Sequence, residues 1–204
     1  MLSMPGGNVM ETTTLSFENF HNHGELFANL FRARRESFIV RNNWDLPQAM
    51  GMEYDQYDTP ASRWIAVHEY GQVLAGIRLT PTTMRNGIYS YMIRDAQKGL
   101  LHSLPTDLLH FEAPVSDQVW ESSRVFVSER TPHLKRARVH AQLYGGMTQA
   151  ARELGATQVL CLIPAVWPRW TKRLDMDAHG AGPVMHLDGV DNQCVSINLA
   201  AKLH

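Results

Sequence analysis

The chain has 204 residues, a length for one large domain or at most two small ones, and its 44% hydrophobic and 19% charged residues exclude a disordered tail protein. Lys and Arg total 19 and Asp and Glu 20, so the net charge of -1 leaves no global basic field of the kind duplex nucleic acid selects. Two cysteines, Cys161 and Cys194, are too few for a disulfide framework and fit a reducing compartment.

Residues 1–14, with Pro5, Gly6, Gly7 and a Thr run, read as a loose start. They lack the basic head and apolar stretch of a secretory signal, which predicts a cytoplasmic chain. Leu26, Leu30, Phe31, Arg34 and Phe38 recur at three- and four-residue steps and predict a helix. An irregular stretch over 41–60 carries Trp44 and several acids. Two β-rich segments, 63–68 and 72–79, flank Glu69-Tyr70-Gly71 and predict a hairpin. Residues 81–118 read as loop and short helix broken by Pro105 and Pro114, and 118–128 as a strand. The clearest helix spans 135–154, where Val139, Leu143, Met147, Ala150, Ala151 and Leu154 share a face that Gly155 terminates.

A fully apolar strand follows over 157–163, then a short helix or turn over 164–174. A final strand pair, 184–187 and 194–199, lies around Asp188-Gly189. The longest apolar run, 159–167, is interrupted by Pro164 and is far short of the ~20 residues of a membrane helix, so no membrane insertion is expected. A strand–helix–strand unit whose second strand is apolar predicts a parallel pair with a right-handed crossover. The pattern as a whole predicts a single α/β (α+β) domain over 1–204, a mixed sheet with helices on both faces.

The chain carries no G-x-S-x-G elbow, no phosphate-binding P-loop and no G-x-G-x-x-G. Its ten histidines do not fall in metal-ligand spacing, so no metal is expected. Two clusters stand out. Glu53, Asp55 and Asp58 place three acids in six residues, beside Tyr54 and Tyr57 and after Trp44. Such a run is ordinarily a solvated loop, but rings beside carboxylates also suit a cationic ligand.

The second cluster is Trp120-Glu121-Ser122-Ser123-Arg124-Val125-Phe126. Strand alternation puts Glu121, Ser123 and Val125 on one face and Ser122, Arg124 and Phe126 on the other. Charges entering a strand are ordinarily a structural ion pair. Arg34 on an apolar helix face and Arg78 between Ile77 and Leu79 extend the picture to a buried polar network.

Arg34-x3-Phe38-x5-Trp44, then Glu53-x-Asp55-x2-Asp58, then Arg78-Leu79 with Pro81-Thr82-Thr83, then Trp120-Glu121-x-Ser123-Arg124-x-Phe126 resemble, in order and spacing, the acyl-homoserine-lactone synthases of bacterial quorum sensing. The resemblance spans about residues 30 to 130. It implies a fold related to the N-acetyltransferases (GNAT): a mixed, mostly antiparallel sheet splayed near its middle. It also implies a reaction in which the amine of S-adenosylmethionine attacks an acyl thioester. The methionine carboxylate then closes on its γ-carbon and expels methylthioadenosine. S-adenosylmethionine is a substrate there, and no cofactor is implied.

On that resemblance Asp55, Asp58 and Trp44, with Phe38 and Ser123, are expected to bind the cationic donor. Arg34, Arg78 or Arg124 would take its carboxylate. Glu121 is the expected general base, directly or through a water, with Glu53 second; the catalytic group is Glu121, Arg124 and Glu53. Backbone N–H groups near Phe126 would hold the oxyanion, although packing alone also accounts for Phe38 and Phe126. An acyl slot is expected among Val125, Phe126, Cys161, Leu162 and Trp167, together with Leu160, Ile163, Val166 and Trp170. Cys161 is expected to be a lining residue, not a nucleophile.

Where acetyltransferases carry a glycine-rich diphosphate loop, this chain reads Arg130-Thr131-Pro132-His133-Leu134-Lys135-Arg136-Ala137-Arg138. The missing glycine favours an acyl carrier protein over acyl-CoA. Lys135, Arg136 and Arg138 would meet the carrier's acidic face, or else form a solvated helix start. The rival expectations are an ordinary N-acyltransferase using acyl-CoA on another amine, and a non-catalytic domain that senses S-adenosylmethionine or a lipid.

Overall fold

The structure, a computed structural model, describes residues 10–200. Residues 1–9 of the expected loose start lie outside the described residues. Glu11–Leu15 is no loose segment but an edge strand, β1, which pairs antiparallel with residues 64–68. Leu26–Arg35 forms helix α1 and runs on into a π-helical turn over Glu36–Arg41. The irregular stretch holds a short hairpin, β2 (Gln48–Ala49) with β3 (Met52–Glu53). Then come β4 (Arg63–Glu69) and β5 (Gln72–Pro81), joined through Tyr70-Gly71 at φ 50° and 79°. Two consecutive left-handed residues make the turn whose twist matches paired strands.

Within 81–118 a short α2 (Met92–Gln97) is the only α-helix. Next are β6 (Val119–Val127), α3 (Arg136–Glu153), β7 (Gln158–Pro164), α4 (Trp167–Arg173), β8 (Asp177–Leu187) and β9 (Val190–Asn198). The last pair is longer than its apolar pattern suggests. β8 begins at Asp177 and runs through Gly180-Ala181-Gly182-Pro183 with a register shift. Small residues stand there because another segment crosses at van der Waals distance: a Cβ on Gly182 would lie 1.8 Å from the Leu108 carbonyl oxygen. The His110 N–H also donates to the Ala181 carbonyl at 3.0 Å.

The seven-stranded sheet has the order β1-β4-β5-β6-β7-β9-β8, antiparallel throughout except for the parallel β6–β7 pair that α3 connects. The pattern predicts a mixed sheet, and the mostly antiparallel form is the one that the resemblance implies. Val139, Leu143 and Met147 of α3 pack on one face with Ile65, Ile77, Leu79 and Trp120. On the other face α1 packs Leu26, Leu30 and Phe31 on Trp64, Ala66 and Phe126, and α2 packs Ile93 on Val119 and Leu160. No helix among the described residues is long and apolar enough to cross a membrane.

The site is made by where β6 and β7 stop pairing. Their ladder covers only Val119–Ser122 against Gln158–Cys161, and beyond it the strands part. Past that point the facing edges of β6 and β7 no longer pair with each other.

Candidate active site

Arg34, Glu53, Asp55, Asp58, Arg78 and Arg124 meet on the α1 side of the sheet. Arg34 Nε donates to Glu53 Oε2 at 2.6 Å, while its Nη1 and Nη2 grip the Asp58 carboxylate at 2.7 and 2.9 Å. Arg78 pairs with Asp55, reaches Asp58 Oδ1 at 3.0 Å and donates from Nε to Ser123 Oγ at 3.2 Å. Arg124 closes the ring, with Nε to Glu53 Oε1 at 3.1 Å and Nη2 to Asp55 Oδ2 at 2.8 Å. Three guanidinium groups and three carboxylates thus neutralise one another, and Arg34, Arg78 and Glu53 are almost wholly buried. Forked guanidinium–carboxylate contacts make such burial tolerable; a lone charge there would not be.

The elements explain the meeting. Arg34 is on the inward stripe of α1, and Trp64 and Arg78 are cross-strand partners on β4 and β5. The acids sit on the β3 end and the turn after it. The Asp55 N–H donates to Asp58 Oδ2 at 2.8 Å, and the Tyr57 N–H to Asp55 Oδ1 at 2.9 Å, so the loop orders its own carboxylates.

Alternation predicts that Arg124 and Phe126 face away from Glu121 and Ser123. The structure overturns this. Arg78 pairs with Ser123 but Gly76 with Phe126, so β6 carries one extra residue, and Arg124 takes φ 54°. The bulge turns Arg124 and Phe126 onto the Glu121 side and leaves Val125 and Val127 packed toward α3.

Glu121 stands apart from the ion pairs. Its carboxylate accepts from the backbone N–H of Ile93 at 2.7 Å and of Met92 at 3.2 Å, at the start of α2. Burial pushes its carboxyl up to about 7, against the pull of those N–H groups and of Arg78. Asp58 goes the other way: burial opposes its charge, but Arg78 and Arg34 hold it well below the ordinary carboxylate range. Asp55 is likewise held low against burial by Arg78 and Arg124. Burial is also met by Asp55 and Asp58 at Arg78, which keep it firmly protonated.

Phe38 is delivered by the π-helical turn after α1, a feature common at functional sites. Trp44 stacks on it with ring centroids 5.2 Å apart, and the Arg124 guanidinium lies 5.6 Å above the Phe38 ring. Residues absent from the sequence expectation complete the network. Trp64 Nε1 donates to Asp58 Oδ1 at 3.0 Å, and the Phe31 ring lies 4.8 Å from the Arg34 guanidinium. Tyr57, read only as a ring flanking acids, lies under Arg78 at 5.5 Å and donates its hydroxyl to Asp95 Oδ2 at 3.0 Å. The register Trp64↔Arg78 is the signal that could have found Trp64, once the hairpin turn is fixed.

The expected acyl residues divide over the two sheet faces. Cys161, Val125 and Trp167 belong to the α3 side, Leu162 and Phe126 to the other. All are on or next to the two strands that part. Burial raises the Cys161 thiol far above its usual range, so it stays a thiol at neutral pH. In the basic segment Lys135 Nζ is held by both Glu69 oxygens at 2.8 Å, Arg136 is half-buried and Arg138 is exposed. No group of three or more His, Cys, Asp or Glu among the described residues is arranged to hold a metal.

The sequence profile described as "Autoinducer synthase" matches residues 18–180. An acyl-homoserine-lactone synthase of Ralstonia solanacearum is 30% identical over 168 residues, covering 79% of this chain and 76% of that protein. Two solved structures share the fold. TofI in a ternary complex with an inhibitor and MTA superposes with a TM-score of 0.74 at 24% identity, covering 93% of this chain and 92% of the other. BjaI, a CoA-dependent acyl-homoserine lactone synthase with SAM and isopentyl-CoA, gives 0.73 at 20% identity, covering 94% and 84%.

Proposed function

The chain belongs to the autoinducer synthase family, and from that membership we propose that it joins an acyl thioester to the amine of S-adenosylmethionine, releasing methylthioadenosine and an acyl-homoserine lactone. The observation that carries this reading is Glu121: a buried carboxylate at the edge of the β6–β7 split, pushed up to about 7 and bound by no arginine. A base poised there can take a proton from an ammonium near neutral pH as the amine attacks.

In this reading the Arg34–Glu53–Asp58–Arg78–Asp55–Arg124 network forms the wall against which the donor rests. Because the acids are engaged by arginines, they act on the donor's cations from behind, while Arg124, the one guanidinium of the three that keeps an exposed edge, offers it to the carboxylate. The stacked Phe38 and Trp44 offer ring faces to the sulfonium and its adenosyl group. The thioester enters the split, where strand-edge N–H groups near Phe126 meet the oxyanion and residues of both faces meet the acyl chain. Lactone closure then needs only a held geometry, because nucleophile and leaving group share one molecule.

We favour delivery by an acyl carrier protein. The segment before α3 has no glycine to cradle a diphosphate, and Arg136 and Arg138 stand at the helix start to meet acidic side chains, with Lys135 committed to Glu69. Incubation with S-adenosylmethionine and butanoyl, hexanoyl or octanoyl thioesters, each on carrier protein and on CoA, tests the proposal through methylthioadenosine release. Glu121→Gln is expected to lower that release about 10²–10⁴-fold. Acyl transfer to another amine without methylthioadenosine would make the chain an ordinary N-acyltransferase. An intact thioester after long incubation would make it a sensor.

A further inference from the structure

Arg78 and Thr80 alternate along β5 onto the side of the sheet that carries the site, and Thr82 follows just past the strand's end. Two of them are fully engaged: Arg78 by Asp55, Asp58 and Ser123, and Thr82 by the backbone of Ser116, to which its hydroxyl donates at 2.8 Å and from which it accepts at 3.0 Å. Thr80 lies between them, fully buried, and its hydroxyl has no hydrogen-bond partner among the described residues. A buried hydroxyl left unmatched is costly, and a valine would fill the same space without that cost. The residue directly across the ladder from Thr80 is Glu121. Facing residues on neighbouring antiparallel strands have their Cβ atoms about 5 Å apart, a separation across which one water can bridge a hydroxyl and a carboxylate. Each Glu121 oxygen accepts one N–H from α2 and keeps a free lone pair.

We propose that Thr80 is a positioning residue for proton transfer at Glu121: its hydroxyl and the Glu121 carboxylate together hold the water through which the attacking amine gives up its proton. This rests on the reaction proposed above. The ammonium N–H bond breaks and its electron pair stays on nitrogen. The proton passes to the water as one of the water's own protons passes to Glu121, so one proton moves from nitrogen to carboxylate and the water is regenerated. The charged and titratable groups that act on Glu121 from the elements around it are Arg78 on β5, Asp55 and Tyr57 on the acidic turn, Tyr91 before α2 and Cys194 on β9, with Cys161 of β7 on the opposite face of the sheet. None of them changes between the variants below.

The test compares wild type, Thr80→Val and Thr80→Ser as full chains, with S-adenosylmethionine and the hexanoyl thioester, by methylthioadenosine release across pH. Thr80→Val is expected to lower kcat about tenfold with the S-adenosylmethionine KM within about twofold, since it removes a contact made in the proton transfer and not in donor binding. It also loosens the water that donates to the ionised carboxylate, so the ascending limb of the kcat profile moves to higher pH. Thr80→Ser is expected to restore both, and the thermal midpoint of Thr80→Val should not fall.

An unchanged kcat and pH limb in Thr80→Val, or an equal loss in Thr80→Ser, overturns the role of Thr80. Should Thr80→Val not fold, Thr80→Ala carries the same comparison. A wild-type chain that releases no methylthioadenosine from any thioester overturns the parent reaction and this inference together. Wild-type turnover with an indifferent Thr80→Val overturns this inference alone.

Discussion

Glu53, Asp55 and Asp58 on one side of the site, and Glu121 one strand away on the other, are all buried carboxylates, yet they are solvated by the protein in opposite ways. The first three lean on Arg34, Arg78 and Arg124, and Asp55 and Asp58 are held ionised well below their ordinary range. Glu121 leans on two backbone N–H groups and is pushed up to about 7. Burial penalises a bare charge in both places; a nearby opposite charge offsets it in one and hydrogen-bond dipoles only partly do in the other. A group whose charge is fixed can build a wall, and a group that can gain or lose a proton near neutrality can do chemistry. The same sheet face holds both, about one strand apart.

The strongest way to break this comparison is to take one cation from the paired region. Arg34→Met leaves Glu53 and Asp58 each short of a partner inside the protein. Removing one member of a buried ion pair costs about 3–5 kcal/mol, a large part of a typical total of about 5–15 kcal/mol. Urea denaturation should show the loss directly. A cost under about 1 kcal/mol would mean that water reaches these carboxylates and that the region is not a wall.

A weaker perturbation sharpens the other half. The folded-state value of Glu121, about 7, lies above the ordinary 4.5. The native chain therefore holds this proton more tightly than the unfolded chain does. Between those two values Glu121 makes stability fall as pH rises, by about 1.4 kcal/mol per unit and on the order of 3 kcal/mol in all, and it adds no slope above 7. Asp55 and Asp58, displaced downward from 3.8, act with the opposite sign: their contribution is complete above that value and is lost as pH falls below it. Glu121→Gln should remove the first slope and keep the second. The check is the difference in unfolding free energy between wild type and variant, measured from about pH 4 to about pH 8, because all other titrations cancel in it. A flat difference would place Glu121 with the ion-paired acids.

The two regions were also unequally legible in the sequence. Arg34, Arg78 and the run Glu53 to Asp58 stand out because charge inside apolar periodicity is visible without a fold, and the hairpin at Tyr70-Gly71 is written in its turn residues. The partners of Glu121 were not legible. They are backbone groups of a six-residue helix in an irregular segment, which carry no side-chain signature. The faces of β6 beyond Ser123 were misread for a related reason: period-two counting assumes a regular strand, and the extra residue at Arg124 resets the count. Thr80 carries no signal of its own, because a threonine in an apolar strand is unremarkable until its hydroxyl is seen to lack a partner.

The smallest expected effect tests where the boundary between the regions runs. Ser123 sits on β6 between them, two residues after Glu121, and its Oγ accepts from Arg78 Nε at 3.2 Å. A hydrogen bond to a charged group contributes about 1.5–3 kcal/mol, but Arg78 keeps Asp55 and Asp58, so Ser123→Ala should cost only about 1 kcal/mol. If Ser123 belongs to the wall, its turnover should stay within a few-fold of wild type and its pH profile should not move. A stable Ser123→Ala that loses turnover as heavily as Glu121→Gln would put the serine hydroxyl in contact with the reacting atoms. The chemistry would then extend one step along β6 toward the bulge, and Arg78 would be shared by both regions instead of marking the edge of one.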